Sequence, residues 1–481
     1  MKESSRRNFL RNAALASTAM VTGNGAASAV TPPAKRPNVL MICSDQFRAD
    51  FLGINRQNPS VLTPNLDALA RRGTNFQFAV CNQPLCSPSR ASFLTSRYAT
   101  ETRVWALEIE LDHTLPTIAT EFRKAGYTSN FMGKWHVSAK NDAQGTPQLG
   151  WLPPGPTRGG FDDLWEGANI TELVSHPDEG HYYADDGTDL HFHDEYRVDF
   201  TARRACEFIE KQHEKPWFLF LSQLEPHQQN DMEAFVPPQR YAKNYADAFV
   251  PHDLRNLPGD WRSHLQGYYG CVQAIDDSIG KIVASLERSG QLENTVICFF
   301  SDHGCTFRTR IGEYKRCPHD SSIRVPFILA GPGFERSTTI SELVTLLDLT
   351  PTLLEAAGVP VPPSMKGRAL KPMLDSAEMR REWKNAAYIQ LSQAICGRAI
   401  RTTDWTYACY DPGIAKGEAA MSRTYVDFAL YSNAADPYQQ VNLVGRPQYK
   451  TIAAGLREQL RHMIVANGEP EPTITPIEFY A

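Results

Sequence analysis

"PNVLMICSDQ" (residues 37–46) is a continuous apolar run that stops abruptly at polar residues. The chain repeats this design in "WFLFLSQLEPH" (217–227) and "NTVICFFSDHG" (294–304). Short runs of this kind read as strands buried on both faces, the pattern of a parallel sheet covered by helices. Between them lie helix-like segments, "NLDALARRG" (65–73), "TIATEFRKAGY" (117–127) and "AIDDSIGKIVASLERSG" (274–290). The last two place glycine just past the periodic part, as a helix C-terminus prefers. Alternating strands and helices predict a doubly wound α/β domain. In such sheets ligands gather beyond the carboxyl ends of strands. All three runs end in potential ligands: Asp45 and Gln46, His227, and Asp302 with His303.

From about Trp151 to Asp260 the sequence turns loop-rich, with aromatic, acidic and histidine residues gathered in "HPDEGHYYADDGTDLHFHDEY" (176–196). This reads as insertions around a site opening. "VPVPPSMKGRAL" (359–370) reads as a linker or edge segment. Beyond it "AAYIQLSQ", "RAIRTTDWTYACY" and "FALYS" are short strand candidates, and "YKTIAAGLREQLRHMIV" (449–465) is an amphipathic terminal helix. The expected division is a catalytic domain over residues 37–370 and an α+β subdomain over 371–481.

Of 481 residues, 42% are hydrophobic and 21% charged, with a net charge of −5. The first 29 residues carry Lys2, Arg6, Arg7 and Arg11 against Glu3, so the remainder is more acidic still. That balance argues against non-specific nucleic-acid binding. Nothing after the leader is long and apolar enough to span a bilayer. The leader pairs Arg6 with Arg7, continues through "AALASTAMV" and ends in "AASA" at Ala29. This is the layout of a twin-arginine export signal with a small-residue cleavage site. It predicts a mature protein in a bacterial periplasm or outside the cell, carried there by the twin-arginine machinery. The ten cysteines match no zinc spacing, and a chain this long needs no disulfides for its core.

One cysteine stands apart. In "LCSPSRASFLTS" (85–96), Pro88 suits the first turn of a helix. Cys86 then lies at the helix N-terminal edge, where backbone N–H groups attract anions. Arg90 is one turn further along the same face. The arrangement suits a nucleophile attacking a tetrahedral oxyanion.

C-S-P-S-R-A-S-F-L-T-S resembles the signature of the type I sulfatases, in which the cysteine of C-x-P-x-R is oxidised to formylglycine (3-oxoalanine) by a maturase. Ser96 departs from the family's usual glycine. The resemblance runs through "HTLPTIATEFRKAGYTSNFMGKWH", "DLTPTLLEAAGVPVP" and "DPYQQVNLV", and covers most of the chain from Pro37 onward. It implies an alkaline-phosphatase-like α/β fold, with a doubly wound, mostly parallel sheet and a small C-terminal antiparallel sheet and helix. It implies a hydrated aldehyde at position 86: one hydroxyl attacks sulfur, and the other, once deprotonated, expels sulfate. A disulfide-bonded or inert Cys86, with Cys81 as partner, is the competing expectation.

An anionic ester and an oxyanion nucleophile call for a hard cation with oxygen ligands. The resemblance assigns Asp45, Gln46, Asp302 and His303 to that metal, Ca2+ with Mg2+ or Mn2+ as alternatives. The family usually has a second aspartate at the position of Gln46 and often asparagine at that of His303. Phosphonate monoester hydrolases and some bacterial sulfatases share the glutamine and histidine, so phosphonate or phosphate esters are the rival substrates. Within "GKWH", Lys134 resembles a sulfate-binding lysine and His136 a histidine bonded to formylglycine. His227 matches the histidine that protonates the leaving alcohol, a task for which imidazole titrates in the right range. Lys315, before "SSIRVPFI", matches a lysine that clamps a sulfate oxygen, although His319-Asp320 replace the usual tyrosine-glutamate. The expectation is an exported sulfatase acting on a sulfated glycan, with an inactive carbohydrate-binding homologue as a rival of another class.

Overall fold

The computed structural model describes residues 36–142 and 144–477. The export-signal expectation for residues 1–29 lies outside the described residues.

The main sheet has eleven strands, and the three apolar runs supply its centre. In chain order these are β1 (Asn38–Asp45), β2 (Thr74–Val80), β3 (Thr128–Lys134), β4 (Leu164–Ala168), β5 (Glu179–Tyr183) and β6 (Asp189–His193). There follow β7 (Trp217–Pro226), β8 (Thr295–Ser301), β9 (Arg324–Val325), β10 (Phe327–Ala330) and β11 (Thr338–Thr345). The order is β11-β2-β10-β8-β1-β7-β3-β4-β5-β6, with β9 pairing β2. Strands β8, β1, β7, β3 and β4 are parallel neighbours. Every residue of β1, β7 and β8 is buried, which is why these runs show no polar alternation. Strand β10 enters antiparallel between β8 and β2.

Helices cover both faces, one led by Phe93, Phe122 and Phe218 and the other by Leu219, Tyr268 and Ile279. The helix expected over 274–290 begins much earlier and runs from Trp261 to Arg288. The stretch after Trp151 is loop-rich, as expected, and its loops carry β4, the hairpin β5–β6 and the helix Arg197–Ile209.

The second sheet is β12 (Ala386–Leu391), β13 (Gly397–Thr402), β14 (Trp405–Tyr410), β15 (Thr424–Ser432) and β16 (Thr473–Thr475). Its first four strands are antiparallel, as expected. The fifth returns parallel to β15, because the helix Lys450–Ala466 carries the chain back across the sheet first. One face, through Ile389, Ala399 and Ala408, joins the main core; the other buries Leu456, Leu460 and Ile464 of that helix. Among the described residues no helix is long and apolar enough to cross a membrane.

Candidate active site

The carboxyl ends of β8, β1, β7 and β3 lie side by side, and the expected residues hang from them. Asp45 ends β1 and Lys134 ends β3. Asp302 and His303 follow β8, and His227 follows β7. At Gly133 the Ser222 carbonyl comes so close that an added Cβ would stand 1.9 Å from its oxygen, with φ at +105°. Only glycine allows that approach, which sets Lys134 beside the end of β7.

Cys86 begins the helix Cys86–Thr95, capped by Leu85, and every residue of this helix is buried. The helix starts two residues before Pro88, so the proline sits in the first turn as expected. The helix closes on Ser96 in a left-handed conformation, φ +52°, which accounts for the family's preference for glycine there. Here the serine instead bonds the Leu347 carbonyl through Oγ, which also accepts from the Gly367 amide.

Around Cys86 Sγ stand Lys315 Nζ at 3.1 Å, His303 Nε2 at 3.3 Å, Asp45 Oδ1 at 3.7 Å and Lys134 Nζ at 3.9 Å. Burial alone would push the thiol up. Lys134, Lys315 and His303 outweigh it, with a hydrogen bond from His136 in support, and the thiol is held well below its ordinary value. The pocket is thus built to hold negative charge at position 86. Cys81 turns instead to the Ser322 carbonyl, and all ten cysteines are unbonded, so the disulfide alternative is not realised.

Arg90 ties the floor together. Its Nε donates to Asp302 Oδ2 at 3.1 Å and its Nη2 to Asp45 Oδ2 at 3.2 Å, while Nη1 donates to the Lys134 carbonyl and to Ser222 Oγ. Lys134 donates to Asp45 Oδ2 at 2.9 Å and to Glu172 Oε1 at 3.0 Å. Burial alone would raise the Asp45 carboxyl, and Lys134, His227 and Lys315 drive it far down. Burial and the Asp45 charge together push Asp302 up.

The Oδ2 atoms of both aspartates are therefore committed to Arg90, and the Oδ1 atoms turn towards Cys86 and His303. His303 donates from Nδ1 to the Gly304 carbonyl at 3.1 Å, and its Nε2 faces Asp45 Oδ1 at 3.5 Å and Asp302 Oδ1 at 3.7 Å. A carbonyl fixing the far ring nitrogen is how a ligating histidine is held. One ligand atom from each of Asp45, Cys86, Asp302 and His303 fits within 4.8 Å of the others, and all four residues are buried. The donor set fits a divalent cation. Gln46 stands at its rim in a left-handed conformation, φ +68°, with Oε1 accepting from Lys315 at 3.2 Å.

His227 donates from Nδ1 to the Gln228 carbonyl and turns Nε2 to Lys315 Nζ at 3.2 Å. His136 lies beyond the strand: β3 ends at Lys134, and φ of +59° turns the chain. It still reaches the thiol, and its Nδ1 lies 3.9 Å from Glu172 Oε1. All ten expected residues converge. The sequence reading missed Glu172, whose carboxyl burial would raise but Lys134 and His136 hold down at about 2. It also missed Ser222 and Gln228, the latter bonded to Gln46.

Lys315 sits on a loop anchored from the second sheet. Asp320 pairs with Arg401 at 2.9 Å, and His319 Nε2 meets the Tyr431 hydroxyl at 3.1 Å.

The chain has known relatives. The family model for sulfatases matches residues 37–359, and that for the C-terminal part of N-sulphoglucosamine sulphohydrolase matches residues 312–466. An ulvan-active sulfatase of Formosa agariphila is 29% identical over 449 residues, covering 90% of this chain and 82% of the relative. An arylsulfatase of Clostridium perfringens is 30% identical over 407 residues, covering 73% and 80%. A protein solved in complex with its substrate D-glucosamine-2-N,6-O-disulfate shares the fold with a TM-score of 0.71 at 21% identity, covering 91% of this chain and 99% of its own. A family match over most of the chain, with the signature cysteine at the centre of the strand-end cluster, establishes that this chain belongs to the sulfatases, the hydrolases of sulfuric esters.

Proposed function

We propose that this chain is an exported sulfatase that removes sulfate from a sulfated glycan, using formylglycine made from Cys86. The observation that carries this reading is the ring of Lys134, Lys315, His303 and His136 around a buried residue 86 at a helix N-terminus. The encoded Sγ marks where the hydrate oxygens of the modified residue belong. That hydrate supplies a hydroxyl to attack sulfur and a second to expel sulfate. Lys134 and Lys315 neutralise charge gathering on the sulfuryl oxygens. Arg90 holds Asp45 and Asp302 in place, and His136 orients the hydrate. His227, in its imidazolium form with the proton on Nε2 beside Lys315, hands that proton to the leaving alcohol.

A divalent cation held by Asp45, Asp302, His303 and Gln46 adds a Lewis acid to the site. Oxygen donors suit Ca2+, Mg2+ and Mn2+. Cys86 is 2% exposed, so a maturase must reach it before the chain folds. Twin-arginine export of folded protein then requires that oxidation in the cytoplasm.

The glycan class draws on the relative whose name is ulvan-active sulfatase and on the fold neighbour solved with a disulfated glucosamine. Desulfation of a panel of defined sulfated saccharides tests it: turnover confined to non-carbohydrate aryl esters rejects the glycan. Gln46 and His303 favour one second reading, phosphonate or phosphate ester hydrolysis at the same site. Rates on paired aryl sulfate and aryl phosphonate substrates decide between them.

A further inference from the structure

The histidine-rich insertion forms the hairpin β5–β6 at the sheet edge, and catalysis makes no use of its outer face. Register places His181 opposite His191 and Glu179 opposite His193. These four outward positions form a two-by-two patch. The inner face is fixed by Tyr182 and Phe192, which stack on Phe200 at 5.9 and 5.0 Å. The platform is therefore rigid while its outer side chains stay solvent-accessible.

We propose that His181, His191, His193 and Glu179 form a second metal site, for a borderline divalent transition metal such as Zn2+. The rings of His181 and His191 stack with centroids 4.8 Å apart, and those of His191 and His193 lie 6.3 Å apart. Glu179 approaches both sides of the second pair, with Oε1 3.8 Å from His191 Nε2 and Oε2 3.7 Å from His193 Nδ1. Two ligands of one tetrahedral zinc stand about 3.3 Å apart, so side-chain rotation on the exposed face must draw the four ligand atoms together on binding. His181 is already oriented as a ligand. Its Nδ1 donates to Asp189 Oδ2 at 2.8 Å, which leaves the Nε2 lone pair free.

The surroundings favour a cation over an anion. Glu179 and His181 line a cleft of about 550 Å³ together with Glu172, His176 and Asp231, and neither lysine nor arginine is among its lining residues. Three imidazoles select Zn2+, Cu2+ or Ni2+ over the oxygen-seeking cations suited to the catalytic cluster. The inference stands on the hairpin alone and does not depend on the sulfatase reading.

The test is a Zn2+ titration of the full, metal-stripped protein against a chromophoric chelator. The wild type and Asp302→Asn bind one equivalent that His191→Thr/His193→Thr lacks, and threonine suits exposed strand positions. Asp189→Asn weakens that equivalent about 10- to 100-fold, as loss of an outer carboxylate does. Equal stoichiometry in wild type and the double variant overturns the proposal, as does loss of the equivalent in Asp302→Asn. Should the double variant not fold, His181→Gln alone must show the loss, and its failure to do so also overturns it.

Discussion

Lys315 Nζ lies 3.1 Å from Cys86 Sγ, although 229 residues separate the two in the chain. The same ammonium touches His227 Nε2 and Gln46 Oε1, each at 3.2 Å, so it links residue 86 to the proposed proton donor and to the rim of the candidate metal cluster. A lysine that serves only as a surface charge would not be buried among three partners.

Lys315→Ala should therefore lower kcat/KM by about 100- to 1000-fold, the cost of one preorganised charge donor. Steady-state rates on an aryl sulfate, with metal saturating, measure this. A change of less than tenfold would remove Lys315 from the catalytic set.

Asp302 is shared between Arg90 and the candidate cation position. Chelation should abolish turnover, and adding back a divalent cation should restore it. Asp302→Asn should keep the fold, lose metal affinity in a calorimetric titration and fall below detectable turnover. Full activity after exhaustive chelation would contradict the metal assignment.

Glu172 should leave a signature in acid. Its carboxyl is held at about 2 against an ordinary 4.5, chiefly by Lys134 and His136 acting against burial. A depressed carboxyl contributes stability that is complete above pH 4.5 and fades as pH falls towards 2, about 3 kcal/mol in all. The stability deficit of Glu172→Gln should be largest at neutral pH and shrink between pH 4.5 and 2. Denaturant melts across that range check it, and a pH-independent deficit would go against the pairing.

Arg401 belongs to the second sheet yet bonds both carboxylate oxygens of Asp320, five residues from Lys315. Arg401→Ala should cost about 3 kcal/mol, because it strands a nearly buried carboxylate. It should also lower kcat/KM by less than Lys315→Ala does. Chemical denaturation and steady-state kinetics on the same preparation test both parts.

Much of this architecture was legible from the chain because the central strands are buried on both faces. β1, β7 and β8 announce themselves as unbroken apolar runs, and their polar ends mark the site. Other parts hide for identifiable reasons. The helix Trp261–Arg288 is longer than the segment 274–290 that periodicity marks, and its unmarked first half contains Gly267 and Gly270. An added Cβ at Gly267 would stand 2.0 Å from the Phe235 carbonyl oxygen, and one at Gly270 would stand 2.5 Å from Pro237 Cβ. These glycines serve close packing inside a continuous helix. Glu172 sits in "NITELVS", where no periodicity or neighbouring motif marks a functional carboxylate. Its role appears only when β3 delivers Lys134 to it. The support of Lys315 by Arg401 and Tyr431 joins segments about a hundred residues apart, beyond any local pattern.

On the proposed function, residue 86 works as formylglycine rather than cysteine. The mass of the tryptic peptide spanning "LCSPSR", from active protein made in a maturase-competent host, tests it most directly. The expected result is a peptide in which the thiol has been replaced by an aldehyde, in proportion to specific activity, and a Cys86→Ala protein that folds without turnover. Fully active protein carrying only unmodified cysteine at position 86 would contradict it.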